Sequence, residues 1–173
     1  MPPCPVLSAR PDDLPGVLDL LRRSGLPTEG AAAHVGHAVV ARLNGRVVGS
    51  AIAELYPDGA LVRSVAVDPH LRGTGLGHAL TLGALAVAAR AGAPAAYLLT
   101  TTASGFFPRL GFRRVRRDAV PAGVRSSVAF AGACPAGATV RARPLDPAAD
   151  ERHGPPDAEP VLPPLHPHDH DPA

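Results

Sequence analysis

At 173 residues, of which 46% are hydrophobic and 18% charged, the chain has room for one globular domain but not for two large ones. All seventeen basic residues are arginines, and without lysine the chain can form neither a Schiff base nor the common P-loop and kinase nucleotide sites. Residues 1–145 carry sixteen arginines and eight acids, which favours a ligand with several phosphates or a nucleic acid. Because there are only two tyrosines and no tryptophan, stacking on bases is disfavoured and no nucleic-acid partner is expected.

The first half of the chain predicts one helix and four strands. Apolar residues spaced i, i+3, i+4 and i+7 predict an amphipathic helix that begins after Asp13 and ends before Gly25. The pair Asn44-Gly45 lies between two β-rich runs and is typical of a hairpin turn. The strands are predicted at residues 5–9, 37–42, 46–55 and 60–67, and the last is apolar enough for the centre of a sheet.

The second half begins with a glycine-rich loop that leads into a long predicted helix, residues 75–91. Further strands are predicted at residues 95–101, 112–115 and 139–143, and helices at 104–110 and 121–131. This order predicts an α/β fold for residues 1–145, a single domain with a central mixed, twisted sheet flanked by helices. Residues 146–173 hold eight prolines and seven acids, so a disordered tail is predicted there.

The most informative segment is a glycine-rich turn between an apolar strand and this helix. Its pattern is Arg72-x-x-Gly75-x-Gly77, with a further glycine at position 73. Glycines allow close approach of a ligand to the backbone, and the unpaired N–H groups of a helix start favour an anion. Walker A requires a lysine, and the dinucleotide fingerprint requires another glycine spacing, so neither fits. A turn without a ligand is the alternative, which the strand-loop-helix order disfavours.

In this pattern the chain resembles the GNAT superfamily over residues 5–145. The segment Phe106-Phe107-x-x-Leu110-Gly111-Phe112 is similar to the second motif of that superfamily. The resemblance implies that acetyl-CoA is the cosubstrate and that the loop holds its pyrophosphate. The CoA-binding residues that it implies are Val65, Ala66, Val67, Arg72, Gly73, Thr74, Gly75, Leu76, Gly77 and Phe106.

A closer similarity is to the arsenic-resistance N-acetyltransferases. It is carried by the segments Glu54-Leu-Tyr56, Leu61-Val-Arg63-Ser64 and Leu98-Leu-Thr-Thr-Thr102, and by Cys134-Pro135 near the end of the domain. Three positions depart from the subfamily pattern, namely Ser127, Ala129 and Gly132, where Thr, Glu and Ser are usual. These departures bear on the substrate and not on the fold.

The implied reaction is direct attack of an amine on the acetyl thioester, without a covalent enzyme intermediate. Glu54 is the candidate general base because it ends the strand before the CoA-binding strand, although a salt bridge with an arginine is an equal alternative. His37 is a substitute base. Many relatives have a tyrosine at or beside position 107 as the general acid, whereas this chain has Phe107. The candidate donor to the thiolate is Thr101, within the run Thr100-Thr101-Thr102 that ends the neighbouring strand. Equally, this β-branched run serves only the strand and no donor is used.

Substrate-binding roles are predicted for Arg63, Ser64 and Arg125. Arg63 lies in an apolar strand, so its charge requires either the Glu54 carboxylate or a carboxylate of the substrate. Cys134 is interpreted as a small buried hydrophobe, because capture of a soft metal takes several thiolates together. The histidines of the tail are interpreted as part of a disordered polar end, and no metal site is predicted.

Together these features predict an acetyl-CoA-dependent N-acetyltransferase acting on a primary amine of a small molecule, either amino-acid-like or arsenic-containing. The alternative is a catalytically inactive, CoA-binding regulatory module, which the phenylalanine at position 107 would suit. Transfer to a peptide N-terminus is a third interpretation. No apolar run is long enough to span a membrane and no signal peptide is evident, so a cytoplasmic protein without membrane contact is expected. Homodimer formation is left open.

Overall fold

The computed structural model describes residues 4–101, 105–133 and 137–157, which fold around one seven-stranded sheet. The strands are β1 (Val6–Ser8), β2 (Ala38–Leu43), β3 (Arg46–Tyr56), β4 (Gly59–Val67), β5 (Ala95–Thr100), β6 (Arg113–Arg114) and β7 (Thr139–Pro144). The α-helices are α1 (Leu14–Arg23), α2 (Ala31–His34), α3 (Leu76–Arg90), α4 (Phe106–Arg109), α5 (Ala122–Arg125) and α6 (Pro147–Asp150).

The order of the strands across the sheet is β1-β2-β3-β4-β5-β7-β6. All neighbouring strands are antiparallel except β4 and β5, which are parallel and share only two register pairs, Ala60 with Ala96 and Leu61 with Tyr97. After these pairs β4 continues for six residues without a register partner on β5. The sheet is therefore mixed, and it opens between its two central strands toward their carboxyl ends.

Helix α3 lies on one face of the sheet and packs into the core there. Leu76, Leu80 and Leu85 are completely buried, together with alanines on several sides of the helix. Such a helix is apolar nearly all round because it is covered on two sides, by β2, β3 and β4 and by residues 147–153. This packing fixes the start of α3 relative to the end of β4.

The opposite face is covered by α1 and by the chain around α5. Alternate residues of a strand point to opposite faces, and accordingly Val39 packs in the cluster of α3 whereas Val40 packs in the cluster of α1. Val17 of α1 is completely buried in that second cluster. Val124 of α5 packs on Leu61 of β4 in a third cluster. The opening of the sheet thus has helices or loops on both sides.

The structure confirms the predicted α/β domain with a mixed sheet flanked by helices. The prediction of one helix over residues 121–131 is wrong, because α5 ends at Arg125 and an irregular π-helical turn follows at Ala129–Ala133. Two serines account for the break: the Ser126 hydroxyl donates to the Gly123 carbonyl at 2.5 Å, and the Ser127 hydroxyl accepts from Phe130 N at 3.4 Å.

Helix α6 lies where the composition predicts the start of a disordered tail. Asp146 Oδ1 accepts from Ala148 N at 3.1 Å and so caps this helix. Asp150 is 4% exposed and pairs with Arg143 Nη2 of β7 at 3.0 Å. The described fold therefore continues past residue 145, whereas the prediction for residues 158–173 lies outside the described residues.

Candidate active site

The glycine-rich loop leaves open space in front of the start of α3. Gly73 and Gly75 have φ values of 77° and 86°, in the left-handed region that favours glycine. A Cβ atom added at either position would meet no described atom within 4 Å. The loop is braced from within, because Thr74 Oγ1 donates to the Leu71 carbonyl and Asp68 Oδ1 accepts from His70 N at 3.0 Å.

The backbone at the start of α3 is suited to an anion. Gly75 is the N-cap and has no side chain to accept from the first N–H groups of the helix. These groups lie at the positive end of a 15-residue helix. Arg72 is exposed on the same loop. Loop, helix start and arginine together can hold a phosphate or pyrophosphate group.

A cavity of about 570 Å³ occupies the opening between β4 and β5. Its wall is mostly apolar, and the loop between α1 and α2 and the segment after α5 contribute to it. Phe107 lines the cavity, and its neighbour Phe106 lies 3.5 Å from the position of a Cβ added at Gly77. The cavity is therefore next to the glycine-rich loop. The residues that line it are Gly25, Leu26, Pro27, Glu29, Val62, Arg63, Ser64, Val65, Leu98, Leu99, Thr100, Thr101, Phe107, Ala129 and Ala138.

A β-bulge in β4 forms part of this wall. Ser50 of β3 is paired with Ala66, but Ile52 is paired with Arg63, so Ser64 and Val65 stand opposite a single residue of β3. Ser64 has a φ of 57°, and its carbonyl accepts from the Ser50 hydroxyl at 2.7 Å. The bulge lies beyond the β4–β5 register pairs, and both Ser64 and Val65 line the cavity.

Glu54 is the centre of a buried polar cluster behind the cavity wall. Its carboxylate is 1% exposed, and Oε1 lies 3.1 Å from Arg63 Nη1. The Tyr56 hydroxyl donates to Oε2 at 2.7 Å, and His34 Nε2 is 3.6 Å from Oε1. A buried carboxylate requires such partners. Glu54 itself is not among the residues that line the cavity.

Burial and charge within this cluster shift two titrating groups. Burial, followed by the hydrogen bond to the Glu54 carboxylate, raises the pKa of Tyr56 well above its usual value. Tyr56 therefore stays protonated and keeps its role as a donor to Glu54. Burial and the neighbouring His34 lower the pKa of His37. A neutral His37 at physiological pH follows, and this residue does not line the cavity.

The structure brings most of the predicted site residues to the cavity and the loop. Arg63, Ser64, Val65 and Thr101 line the cavity, whereas Glu54 lies behind Arg63. The rest of the predicted CoA set lies on the end of β4, the loop, the first turn of α3 and α4. Arg125 is exposed on α5 and does not line the cavity. Thr102 and Cys134 are outside the described residues.

The sequence patterns did not predict a place at the site for three residues, namely Glu29, His34 and Tyr56. Glu29 and His34 lie in a stretch where no element was predicted and where a short helix, α2, is formed. Tyr56 lies two residues after Glu54, and because side chains alternate between the faces of a strand, this spacing places both on the same face of β3. That spacing was the available signal for Tyr56.

Comparison with known proteins agrees with this geometry. Residues 34–114 match a protein-family model described as an acetyltransferase (GNAT) domain. This stretch runs from α2 to β6 and includes β4, the glycine-rich loop and α3. The comparison with curated proteins gives no match.

Solved structures similar to this chain include Rv2747 from Mycobacterium tuberculosis in complex with CoA, with 27% identity, a TM-score of 0.70, and 82% of this chain and 99% of that chain covered. N-acetylglutamate synthase from Neisseria gonorrhoeae, complexed with CoA and N-acetyl-glutamate, has 21% identity and a TM-score of 0.69, over 82% of this chain and 35% of that one. The ribosomal-protein-S18-alanine N-acetyltransferase of Escherichia coli has 21% identity and a TM-score of 0.59, over 82% and 93%.

The chain therefore has the fold of a GNAT acetyltransferase domain, as the resemblance in its sequence implies. Within the described residues, no helix is both long and apolar enough to cross a bilayer. In the same residues, no three or more His, Cys, Asp or Glu side chains are grouped to hold a metal ion.

Proposed function

We propose that this protein is an N-acetyltransferase that moves the acetyl group of acetyl-CoA to a primary amine of a small, amino-acid-like molecule. The observation that carries the proposal is the position of the cavity, which lies between β4 and β5 and adjoins, through Phe106 and Phe107, a helix start that is suited to an anion. Rv2747, at 27% identity, was solved with CoA, which supports acetyl-CoA as the cosubstrate.

The glycine-rich loop would hold the pyrophosphate of acetyl-CoA. The space in front of Gly73 and Gly75 is open, and both backbones are left-handed, so the N–H groups at the start of α3 are accessible. Arg72 would add a cation that does not depend on pH. The residues present thus fit a ligand with adjacent phosphates.

The bulge in β4 would polarise the thioester. Ser64 and Val65 lack individual partners on β3, and their segment lines the cavity beyond the β4–β5 pairs. Backbone N–H groups in such a position can donate to the thioester oxygen, whose negative charge increases when the amine attacks. They are fixed before the reaction because the Ser50 hydroxyl holds the Ser64 carbonyl.

Departure of the sulfur requires little assistance. A thiol such as that of CoA has a pKa of about 8.5, so its thiolate is an acceptable leaving group. Phe107 lines the cavity and has no hydroxyl, whereas Thr101 lines it at the end of β5. We propose Thr101 as the donor to the thiolate. Thr101→Val would then slow thiol release without changing the affinity for acetyl-CoA.

The acceptor is proposed to carry a carboxylate as well as an amine. N-acetylglutamate synthase was solved with N-acetyl-glutamate, and the cavity of this chain has an arginine in its wall, Arg63. The resemblance to arsenic-resistance N-acetyltransferases adds arsenic-containing amino acids to the acceptors to be tested. A cytoplasmic location and action as a homodimer stay predictions.

The test is a screen for thiol release by the purified full chain with acetyl-CoA and single acceptors: the twenty L-amino acids, simple amines and an arsenic-containing amino acid. Acetylated products would be identified by mass spectrometry. Thiol release with an N-acetylated product supports the proposal. If acetyl-CoA binds but no acceptor gives thiol release above background hydrolysis, the proposal is wrong, and the CoA-binding regulatory module takes its place.

A further inference from the structure

Two residues of opposite charge line the cavity between β4 and β5. Among the described lining residues, Glu29 is the only acid and Arg63 the only base. They are connected directly, because the Glu29 carbonyl accepts from Arg63 Nη1 at 2.6 Å. Glu29 is exposed, so its carboxylate is accessible to an amine that enters from solvent.

Arg63 is held in the wall by acceptors on all three of its nitrogens. Nε donates to Ser64 Oγ at 3.1 Å, and Nη2 donates to the Pro27 carbonyl at 3.2 Å. Nη1 donates to the Glu29 carbonyl and to Glu54 Oε1. A guanidinium has five N–H groups, so one on Nη2 has no acceptor among the described residues. That group can bind a carboxylate of the acceptor from a fixed position.

Glu54 is poorly placed to take a proton from the acceptor. Its carboxylate is 1% exposed, with Arg63 on Oε1 and the Tyr56 hydroxyl on Oε2, and it lies outside the cavity lining. A general base has to reach the proton directly or through one water molecule. The geometry instead makes Glu54 the buried counter-ion of Arg63, and therefore a positioning residue.

We infer that Glu29, and not Glu54, binds the ammonium group of the acceptor and takes up its proton during transfer. This inference rests on the proposed acetyltransferase function. The ammonium first gives one proton to the Glu29 carboxylate, which frees the lone pair of the nitrogen. As this nitrogen bonds to the acetyl carbon, the C–S bond breaks and its electron pair leaves with the CoA sulfur, which takes up the second N–H proton through water and leaves a neutral amide. Water then removes the proton from Glu29 after the amide has been released.

The pair of charges also defines the class of acceptor. An acid and a base in the wall of one cavity suit an acceptor that carries both an ammonium and a carboxylate group, as an α-amino acid does. The remaining wall is mostly apolar, with Leu26, Leu98 and Leu99 among its members, and suits an uncharged side chain. Amines without a carboxylate lose the interaction with Arg63 and are expected to be poorer acceptors.

The test compares Glu29→Gln, Glu54→Gln and the exposed control Glu151→Gln, which lies outside the cavity lining. Thiol release is measured from pH 6 to pH 10, at about one-unit intervals that bracket ordinary amine and carboxylate titrations. The acceptors are the L-amino acid that reacts fastest with the wild type and the amine that its decarboxylation would give. Acetyl-CoA affinity is measured for each variant by calorimetry.

For Glu29→Gln we expect kcat/KM to fall roughly a hundredfold, most strongly at low pH, with an unchanged Kd for acetyl-CoA. Glu29→Asp should restore part of the activity. Glu54→Gln should raise KM for the amino acid about tenfold and leave the decarboxylated amine nearly unaffected, because only the former uses Arg63. Glu151→Gln should behave as the wild type.

Two results separate the inference from the function on which it rests. If Glu29→Gln keeps wild-type kcat/KM at every pH while the wild type transfers acetyl groups, the role of Glu29 is disproved and the acetyltransferase stands. A pH profile changed by Glu54→Gln alone would return the role of base to Glu54. If no acceptor gives thiol release above background hydrolysis with the wild type, the proposed function itself is overturned, and the role of Glu29 with it.

Discussion

Single residues in this protein are constrained most strongly where charges are buried. The pairing of Arg63 with Glu54 is one of the two alternatives that the sequence allowed, since an arginine in an apolar strand requires a carboxylate of the protein or of the substrate. The additional partners Tyr56 and His34 were not predictable in the same way. Hydrogen bonds to a buried carboxylate depend on side-chain packing. His34 lies in α2, a helix that no periodic apolar pattern predicts.

Replacement of Tyr56 by phenylalanine tests this cluster at the level of one hydrogen bond. Loss of the 2.7 Å bond to Glu54 should lower the free energy of unfolding by about 1.5–3 kcal/mol at pH 7. The difference should shrink above pH about 10, because the raised pKa of Tyr56 gives stability that is present below the unfolded pKa and is lost as pH rises past it.

Urea unfolding of Tyr56→Phe and wild type at pH 7 and at about pH 11 measures this difference. A difference of equal size at both pH values would show that the Tyr56 hydroxyl is not held protonated by its surroundings. Phe130 packs, like Tyr56, against the apolar cluster of Leu61 and Val124, so Phe130→Leu is a control that changes packing without a titrating group.

At the scale of elements, strands and long helices were predictable because their apolar periods are regular. The sequence places β3, β4 and α3 within one or two residues of their observed bounds. It does not reveal the bulge at Ser64 or the opening between β4 and β5. The bulge depends on the register between β3 and β4, and the opening depends on the register between β4 and β5, which are distant in the chain. Local patterns encode neither register.

Two glycines at opposite ends of α3 provide a matched test of the loop. Gly75 and Gly92 have φ values of 86° and 83°, and a Cβ atom at either would meet no described atom within 4 Å. Gly75→Ala and Gly92→Ala should therefore cost similar stability, about 1–2 kcal/mol each. Only Gly75→Ala should weaken acetyl-CoA binding, by on the order of tenfold or more, because its methyl group fills space that the pyrophosphate requires.

Calorimetric titration and urea unfolding of both variants give the two quantities. Equal acetyl-CoA affinity in Gly75→Ala and Gly92→Ala would mean that the loop does not contact the ligand closely.

In the molecule as a whole, composition predicted that the domain ends at residue 145, whereas the described fold continues past that residue. Residues 147–153 cover α3, and Asp157 Oδ1 accepts from Ser8 N of the edge strand β1 at 2.9 Å. Proline and acid content predicted disorder here because it reports low hydrophobicity. A short capped helix held by one buried ion pair needs little apolar surface, so composition does not detect it.

Asp150→Asn should destabilise the whole domain by about 2 kcal/mol, because it removes the charged partner of Arg143 and weakens the bond to Asp146 N. Asp157→Asn, at an exposed bond, should cost less than about 1 kcal/mol. Thermal unfolding of both variants decides this. If Asp150→Asn is as stable as the wild type, the segment after β7 does not contribute to the fold.

The proposed function requires that the glycine-rich loop and the adjoining cavity form an acetyl-CoA site. Calorimetric titration of the full chain with acetyl-CoA, repeated after saturation with CoA, tests this directly. We expect saturable binding at one site per chain, and loss of the acetyl-CoA signal when CoA is already bound. An absence of binding heat at several temperatures, or acetyl-CoA binding that CoA does not displace, would contradict it.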